Sequence, residues 1–190
     1  ENLFIMSEKP KILHQSIVSR SRLFTVEAVD FQFSNGVERT YERLVPGGSG
    51  AVMMVAMLDD EHVALIREFG GGVEEYTLTL PKGAVDLGET KDHAANRELQ
   101  EEIGFAANKI TFLKHMSLSP SYMKSGIDIY LAEDLYPSQL EGDEPEPLEL
   151  IKWPLANLHE LVMRDDCTEG RAIAALYLAK DYLRMRANET

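Results

Sequence analysis

A glycine-bearing loop that runs directly into an acidic helix constrains this chain more than any other feature. Gly83 opens it; Glu89 follows after five residues, and Arg97, Glu98, Leu99, Gln100, Glu101, Glu102, Ile103 and Gly104 follow after seven more. Ala95, Leu99 and Ile103 recur every four residues, the stripe of an amphipathic helix over residues 92–103, and Gly104 stands where such a helix stops. Glu98 and Glu102 are four apart, with Glu101 three beyond Glu98, so three carboxylates share a face away from that stripe. Like charges so spaced cost a helix about 0.2–0.5 kcal/mol per pair. Their place late in the helix, at the negative end of its dipole, adds to the cost. Hard divalent cations held by oxygen ligands offset such a cluster. Two glutamates alone would read as a solvated face. Seven fixed positions together arise by chance only on the order of 10⁻⁸ per starting point.

The rest of the chain reads mainly as strands. Residues 22–29 and 37–43 alternate in the β manner around a turn at Ser34, Asn35 and Gly36. Pro46, Gly47, Gly48, Ser49 and Gly50 mark a boundary. Residues 51–57 and 62–67 form a buried strand pair around Asp59, Asp60 and Glu61, and residues 76–80 are a further strand. Strands resume at 110–115 and 127–132, then at 148–153 beyond an acidic, proline-rich loop over 135–147. Pro154 opens a helix to about Arg164. A last helix spans about 169–185, with Ile173, Leu176, Tyr177, Lys180 and Leu183 along one side. Strands outnumber helices and are mixed with them, which gives an α+β or sandwich-type α/β/α fold.

The net charge of −13 argues against long nucleic acids, which are bound through many Lys and Arg phosphate contacts. A small anionic substrate needs something local to cancel the repulsion, and bound divalent cations do so. No apolar run approaches the ~20 residues of a membrane span, so no membrane partner is expected. No secretory signal is visible, and Cys167 is alone, which fits a cytoplasmic protein. Residues 1–5 precede Met6 and resemble the remnant of a cleaved tag.

Residues 83–105 match in full the box of the Nudix hydrolases, which this chain resembles; only Phe105 closes it with an aromatic residue where an aliphatic one is commoner. The likeness runs through residues 20–27, 33–37, 41–43, 120–122 and 140–148, and points to the ADP-ribose pyrophosphatases and their relatives. It implies a Nudix α/β/α sandwich with a mixed sheet over residues 49–190. An N-terminal antiparallel β piece over residues 6–48 would pair two copies into a homodimer. The implied reaction is divalent-metal-dependent hydrolysis of the diphosphate linkage of ADP-X compounds, releasing AMP and phosphorylated X. ADP-ribose, NADH and diadenosine polyphosphates are the implied substrates. Two to three Mg²⁺ ions, or Mn²⁺, would clamp the diphosphate oxygens. By motif position Glu98 and Glu102 would be the main metal ligands and Glu101 a further one, with a catalytic share. The backbone carbonyl of Lys82 or Gly83 would complete the shell. Glu89 and Arg97, with Gly83 and Gly104, would brace the loop against the helix.

The resemblance also implies a general base on the acidic loop after the box. Glu144 is the first choice and Glu146 the reserve, beside Glu141 and Asp143. For the substrate, Phe24 would stack on adenine, Arg39 or Arg43 would reach phosphates or base, and Ser119 and Ser121 would line the pocket. Gly70, Gly71 and Gly72 stand where many ADP-ribose pyrophosphatases carry an arginine, which suits a broader ADP-X preference. A catalytically silent domain of the same fold, binding a nucleotide as a sensor, is the alternative, but such domains commonly lose the box glutamates retained here.

Overall fold

The computed structural model describes residues 8–188; the five residues read as a tag remnant lie outside the described residues. The chain divides into two compact units. One runs up to Gly47 and takes in Ser117–Gly126, and the other comprises Gly48–Met116 and the chain from Ile127 onward.

The first unit is an antiparallel meander of β1 (Lys11–Arg20), β2 (Thr25–Gln32) and β3 (Glu38–Val45), in that spatial order. β2 and β3 pair without a break from Thr25–Val45 to Gln32–Glu38. Their turn is fastened by Asn35, whose Oδ1 accepts the Val37 N–H at 3.1 Å, with Gly36 at φ +81°. The strand expected from residue 22 begins only at Thr25, because the Ser21 hydroxyl accepts the Phe24 N–H at 2.9 Å and bends the chain there. β1 lacked a legible pattern, since all ten of its residues are exposed and no buried face imposes alternation. Within this unit the segment Ser117–Gly126 is held to β3: the Leu44 N–H donates to Tyr122 O at 2.7 Å and the Lys124 N–H to Leu44 O at 2.9 Å.

The second unit contains β4 (Ala51–Ala56), β5 (His62–Gly70), β6 (Glu75–Thr79), β7 (Lys82–Ala84) and α1 (Lys91–Ile103). After these come β8 (Phe105–Ser117), β9 (Gly126–Pro137), β10 (Glu149–Pro154), α2 (Leu158–Val162) and α3 (Gly170–Asn188). A mixed sheet runs β7-β4-β9-β8, with β4 parallel to β9 and antiparallel to β7; an antiparallel sheet runs β10-β5-β6. The expected pairing of residues 51–57 with 62–67 is therefore corrected. As backbone ladders the two segments share only an isolated bridge between Met57 and Val63, and the strands enter different sheets. Each is apolar on both faces because each sits centrally in its own sheet.

Val52, Met54 and Ala56 on one face of β4 pack with Ala64 and Ile66 of β5 under Ala94, Ala95, Leu99 and Ile103 of α1. Met53 and Val55 are equally buried on the other face, so β4 is covered on both sides. α1 ends at Gly104, at φ +74°, whose N–H donates to Leu99 O. Three further expectations change. The helix after Pro154 is a 3₁₀ turn, Leu155–Asn157, followed by the short α2. β9 continues to Pro137, so the acidic loop is shorter than residues 135–147. α3 buries Ala172, Ala175, Leu176 and Ala179 while Tyr177 stays exposed, because the small alanines allow closer packing than the larger side chains expected there. Among the described residues no helix is long and apolar enough to cross a membrane.

Candidate active site

Gly83 and Ala84, read from the sequence as loop, form β7 together with Lys82, paired to Met53, Val52 and Ala51 of β4. That pairing sets the strand beside the polar face of α1. A β-carbon on Gly83 would lie 2.0 Å from Glu98 Cδ, so glycine alone lets the carboxylate approach this backbone. One turn later Glu102 turns to the same strand, its Oε2 accepting the Lys82 N–H at 2.9 Å.

Arg97 connects most of what surrounds them. Its Nε and Nη2 meet the Glu89 carboxylate at 3.1 and 3.0 Å, and Nη2 also donates to Ala84 O at 2.9 Å. Its Nη1 donates to Glu98 at 2.9 Å and to Glu101 at 2.8 Å. Glu89 in turn accepts the Asp86 N–H and a contact from His93. With Arg97 first among the causes, these partners hold the Glu89 carboxyl down at about 2.

Glu98 and Glu102 behave in the opposite way. Burial pushes Glu98 up to about 7 against the pull of Arg97, with the charges of Glu101 and Asp143 adding to the rise. Burial pushes Glu102 up to about 8 despite its bond to Lys82, and Glu98 and Glu68 add to it. Both carboxylates thus sit where negative charge is costly without a cation. Their oxygens are hard donors suited to Mg²⁺ or Mn²⁺ rather than soft metals. Among the described residues no three His, Cys, Asp or Glu side chains already converge as a metal cage. That agrees with Arg97 and the Lys82 N–H occupying carboxylate oxygens of Glu98, Glu101 and Glu102.

A cavity of about 880 Å³ opens over this floor, walled on its far side by Glu141, Gly142, Asp143, Glu144 and Glu146 of the acidic loop. All of its lining comes from the second unit. Glu144 is exposed, yet partial burial first, then the charges of Glu68 and Asp143, raise its carboxyl above the usual range. Glu146 is engaged instead: the Tyr76 hydroxyl donates to its carboxylate.

The residues expected to bind substrate all lie in the first unit. Phe24 is exposed at the β1–β2 turn, and Arg39 Nη1 donates to Glu38 O at 2.7 Å. Arg43 is held by Glu27 at 2.7 Å. It shares a largely apolar recess of about 450 Å³ with Ser121, Phe31, Phe33 and Tyr41. Ser119 caps the adjoining turn, its carbonyl accepting the N–H groups of Tyr122 and Met123. Neither Phe24 nor Arg39 nor Ser119 lines that recess.

Sequence reasoning missed Glu68, Tyr76 and the side chain of Lys82. The Lys82 ammonium is ion-paired with the Glu68 carboxylate. Nothing local marks Glu68, which follows a buried run at the end of a strand. Only the fold carries that strand, and Tyr76 opposite Phe69 on β6, to the site.

Residues 49–175 match the NUDIX domain family, and residues 10–43 match the NudE-type Nudix hydrolase N-terminal domain. Over 177 residues the chain is 52% identical to the ADP compounds hydrolase NudE of Escherichia coli (strain K12), covering 93% of this chain and 95% of that one. It is 25% identical over 183 residues to an ADP-ribose pyrophosphatase of Bacillus subtilis (strain 168), covering 93% and 96%. A crystal structure of an ADP compounds hydrolase aligns with a TM-score of 0.87 at 50% identity, covering 95% of this chain and 97% of that one.

Proposed function

The chain belongs to the Nudix hydrolases and carries their NudE-type N-terminal domain, and on that premise we propose that it hydrolyses the diphosphate linkage of ADP-X compounds. AMP and phosphorylated X are the products. The observation that carries the reading is the pair Glu98 and Glu102, half-buried against the β7 backbone with raised pKa, under a cavity of about 880 Å³. Half-identity to an ADP compounds hydrolase along almost the whole chain supports the ADP-X class.

Nudix hydrolases need a divalent metal, and the donor set here suits two to three Mg²⁺ or Mn²⁺ ions on Glu98, Glu102 and Glu101, with the Lys82 or Gly83 carbonyl. When bound, the cations supply positive charge against the diphosphate oxygens and acidify nearby water. The chain's own residues do the rest. Gly83 leaves room for the Glu98 carboxylate, and Arg97, tied to Glu89 and the Ala84 carbonyl, fixes the angle between loop and helix. Glu144, with its raised pKa and without a hydrogen bond among the described residues, takes a proton from the attacking water; Glu146, bonded to Tyr76, is the reserve.

Adenine stacking on Phe24, with contacts from Arg39, Arg43, Ser119 and Ser121, belongs to the same proposal. So does a homodimer through the N-terminal strands, which the exposed Ile12, Leu13, Ile17 and Val18 of β1 support. A cytoplasmic setting, read from the single cysteine, is a further part of it. The test is a kcat/KM panel on ADP-ribose, NADH and diadenosine polyphosphates, with and without Mg²⁺, products identified by chromatography. Mg²⁺-dependent AMP release is expected from at least one; binding without turnover across the panel would favour a nucleotide sensor.

A further inference from the structure

Eight acidic side chains line the cavity over Glu98 and Glu102, against two cationic ones, Lys82 and Arg97. A diphosphate is itself an anion, so the way these two cations are engaged decides what the chain can offer it. Arg97 has nothing to spare: all three of its guanidinium nitrogens are committed to Glu89, Glu98, Glu101 and the Ala84 carbonyl. Lys82 differs. Its ammonium carries three donors and meets one carboxylate, that of Glu68. Its side chain is about four-fifths buried, at 19% exposure. A lysine on the outer surface would report nothing, but this one stands in the floor of the cavity.

Its placement is independently marked by its neighbours. The Lys82 N–H meets Glu102 at 2.9 Å, and Lys82 shares the lining of one cavity with Glu102 and Glu144, so the residue stands beside the proposed metal ligand and the proposed base together. A cation at that spot faces the volume in which a diphosphate reacting between these two groups must sit.

We propose that the Lys82 ammonium contacts the diphosphate of the bound substrate, and that Glu68 is a positioning residue that holds it ready; this rests on the diphosphate hydrolysis proposed above. The contact is made by donors that Glu68 leaves unused, so substrate need not break the ion pair. Glu68 fixes where the ammonium points, and its own charge is neutralised by the same bond. Lys82 therefore serves twice: its backbone meets Glu102, and its side chain meets substrate.

The test measures binding of a non-hydrolysable methylene-bridged analogue of ADP-ribose by calorimetry in Mg²⁺, alongside kcat/KM on ADP-ribose. Lys82→Met is expected to weaken analogue binding and lower kcat/KM by about tenfold or more. Lys82→Arg recovers most of both. Mn²⁺ binding to the substrate-free protein, read by electron paramagnetic resonance, stays as strong as in wild type or tightens, since a cation has left a carboxylate cluster. Glu68→Gln gives a smaller loss of kcat/KM and adds less than about twofold on top of Lys82→Met, as expected of a residue acting through the lysine. Analogue affinity and kcat/KM within twofold of wild type in Lys82→Met would overturn the proposal, as would independent, multiplying effects of the two substitutions. Weakened Mn²⁺ binding in Lys82→Met would also overturn it, by making the residue a support of the metal ligands. A wild type that turns over none of the ADP compounds is a separate result and strikes the functional reading first.

Discussion

The Glu98 carboxylate lies so close to the Gly83 backbone that a β-carbon there would come within 2.0–2.2 Å of its three terminal atoms. The obstructed group is the end of a flexible side chain rather than backbone, so the protein can yield by swinging Glu98 aside. Gly83→Ala should therefore leave the melting temperature within a few degrees of wild type. It should lower kcat by about a hundredfold, the usual penalty for a misplacement of about 1 Å at a reacting centre. Thermal melts beside steady-state kinetics separate the two effects; unimpaired turnover would mean that Glu98 does not work from this position.

Gly104 predicts the reverse pattern. It ends α1 at φ +74°, and a β-carbon would come 2.5 Å from Gln139 Oε1. Left-handed backbone costs a side-chain-bearing residue about 1–2 kcal/mol. Gly104→Ala should lose about that much stability in urea melts, with kcat within about threefold of wild type at temperatures where the protein stays folded.

Two acids of the cavity loop compete for the role of base, and their surroundings separate them. Glu146 accepts a bond from the Tyr76 hydroxyl, whereas partial burial and the charges of Glu68 and Asp143 raise the Glu144 carboxyl above its ordinary value. Glu144→Gln should cut kcat by more than about tenfold with metal affinity unchanged. Glu146→Gln should cost less than about threefold, the size of a lost loop tether. The opposite order would transfer the role to Glu146.

Away from the cavity, Glu133 gives a pH signature. Arg186 first, then Lys109, hold its carboxyl at about 2 against an ordinary value of 4.5. On acidification the unfolded chain takes up this proton before the folded one does. The stabilisation is full above about pH 4.5 and is lost as the pH falls towards 2. Glu133→Gln should cost about 1–2 kcal/mol at pH 7 and almost nothing near pH 2. Urea titrations at the two pH values check it, and an equal loss at both would refute the ion-pair account.

The candidate site was legible where its residues are neighbours in sequence, and the fold where a face is buried. Glu98, Glu101 and Glu102 follow from helical spacing, and Ala95, Leu99 and Ile103 are the buried stripe that their recurrence every four residues suggested. Where burial imposes nothing, the pattern fell silent, as in β1, whose ten residues are all exposed. Strand partners were the other blind spot. Residues 51–57 and 62–67 read as a strand pair because they are adjacent and largely apolar, yet strands with such buried runs are equally suited to two different sheets. Glu68 and Tyr76 reach Lys82 and Glu146 of the cavity lining through that topology, across sequence distances no motif spans. Ser117–Gly126 joins the first unit for the same reason, through hydrogen bonds between Leu44 and the Tyr122–Lys124 backbone.

Divalent cations held by Glu98 and Glu102 are the centre of the proposed reaction. Mn²⁺ titration of the protein, read by the resonance of the free ion, tests this most directly in wild type and in the Glu98→Gln, Glu102→Gln double variant. The wild type should take up about two ions per chain, and the double variant none at the same concentrations, with turnover lower by about a thousandfold or more. Equal Mn²⁺ uptake and undiminished hydrolysis in the double variant would contradict it.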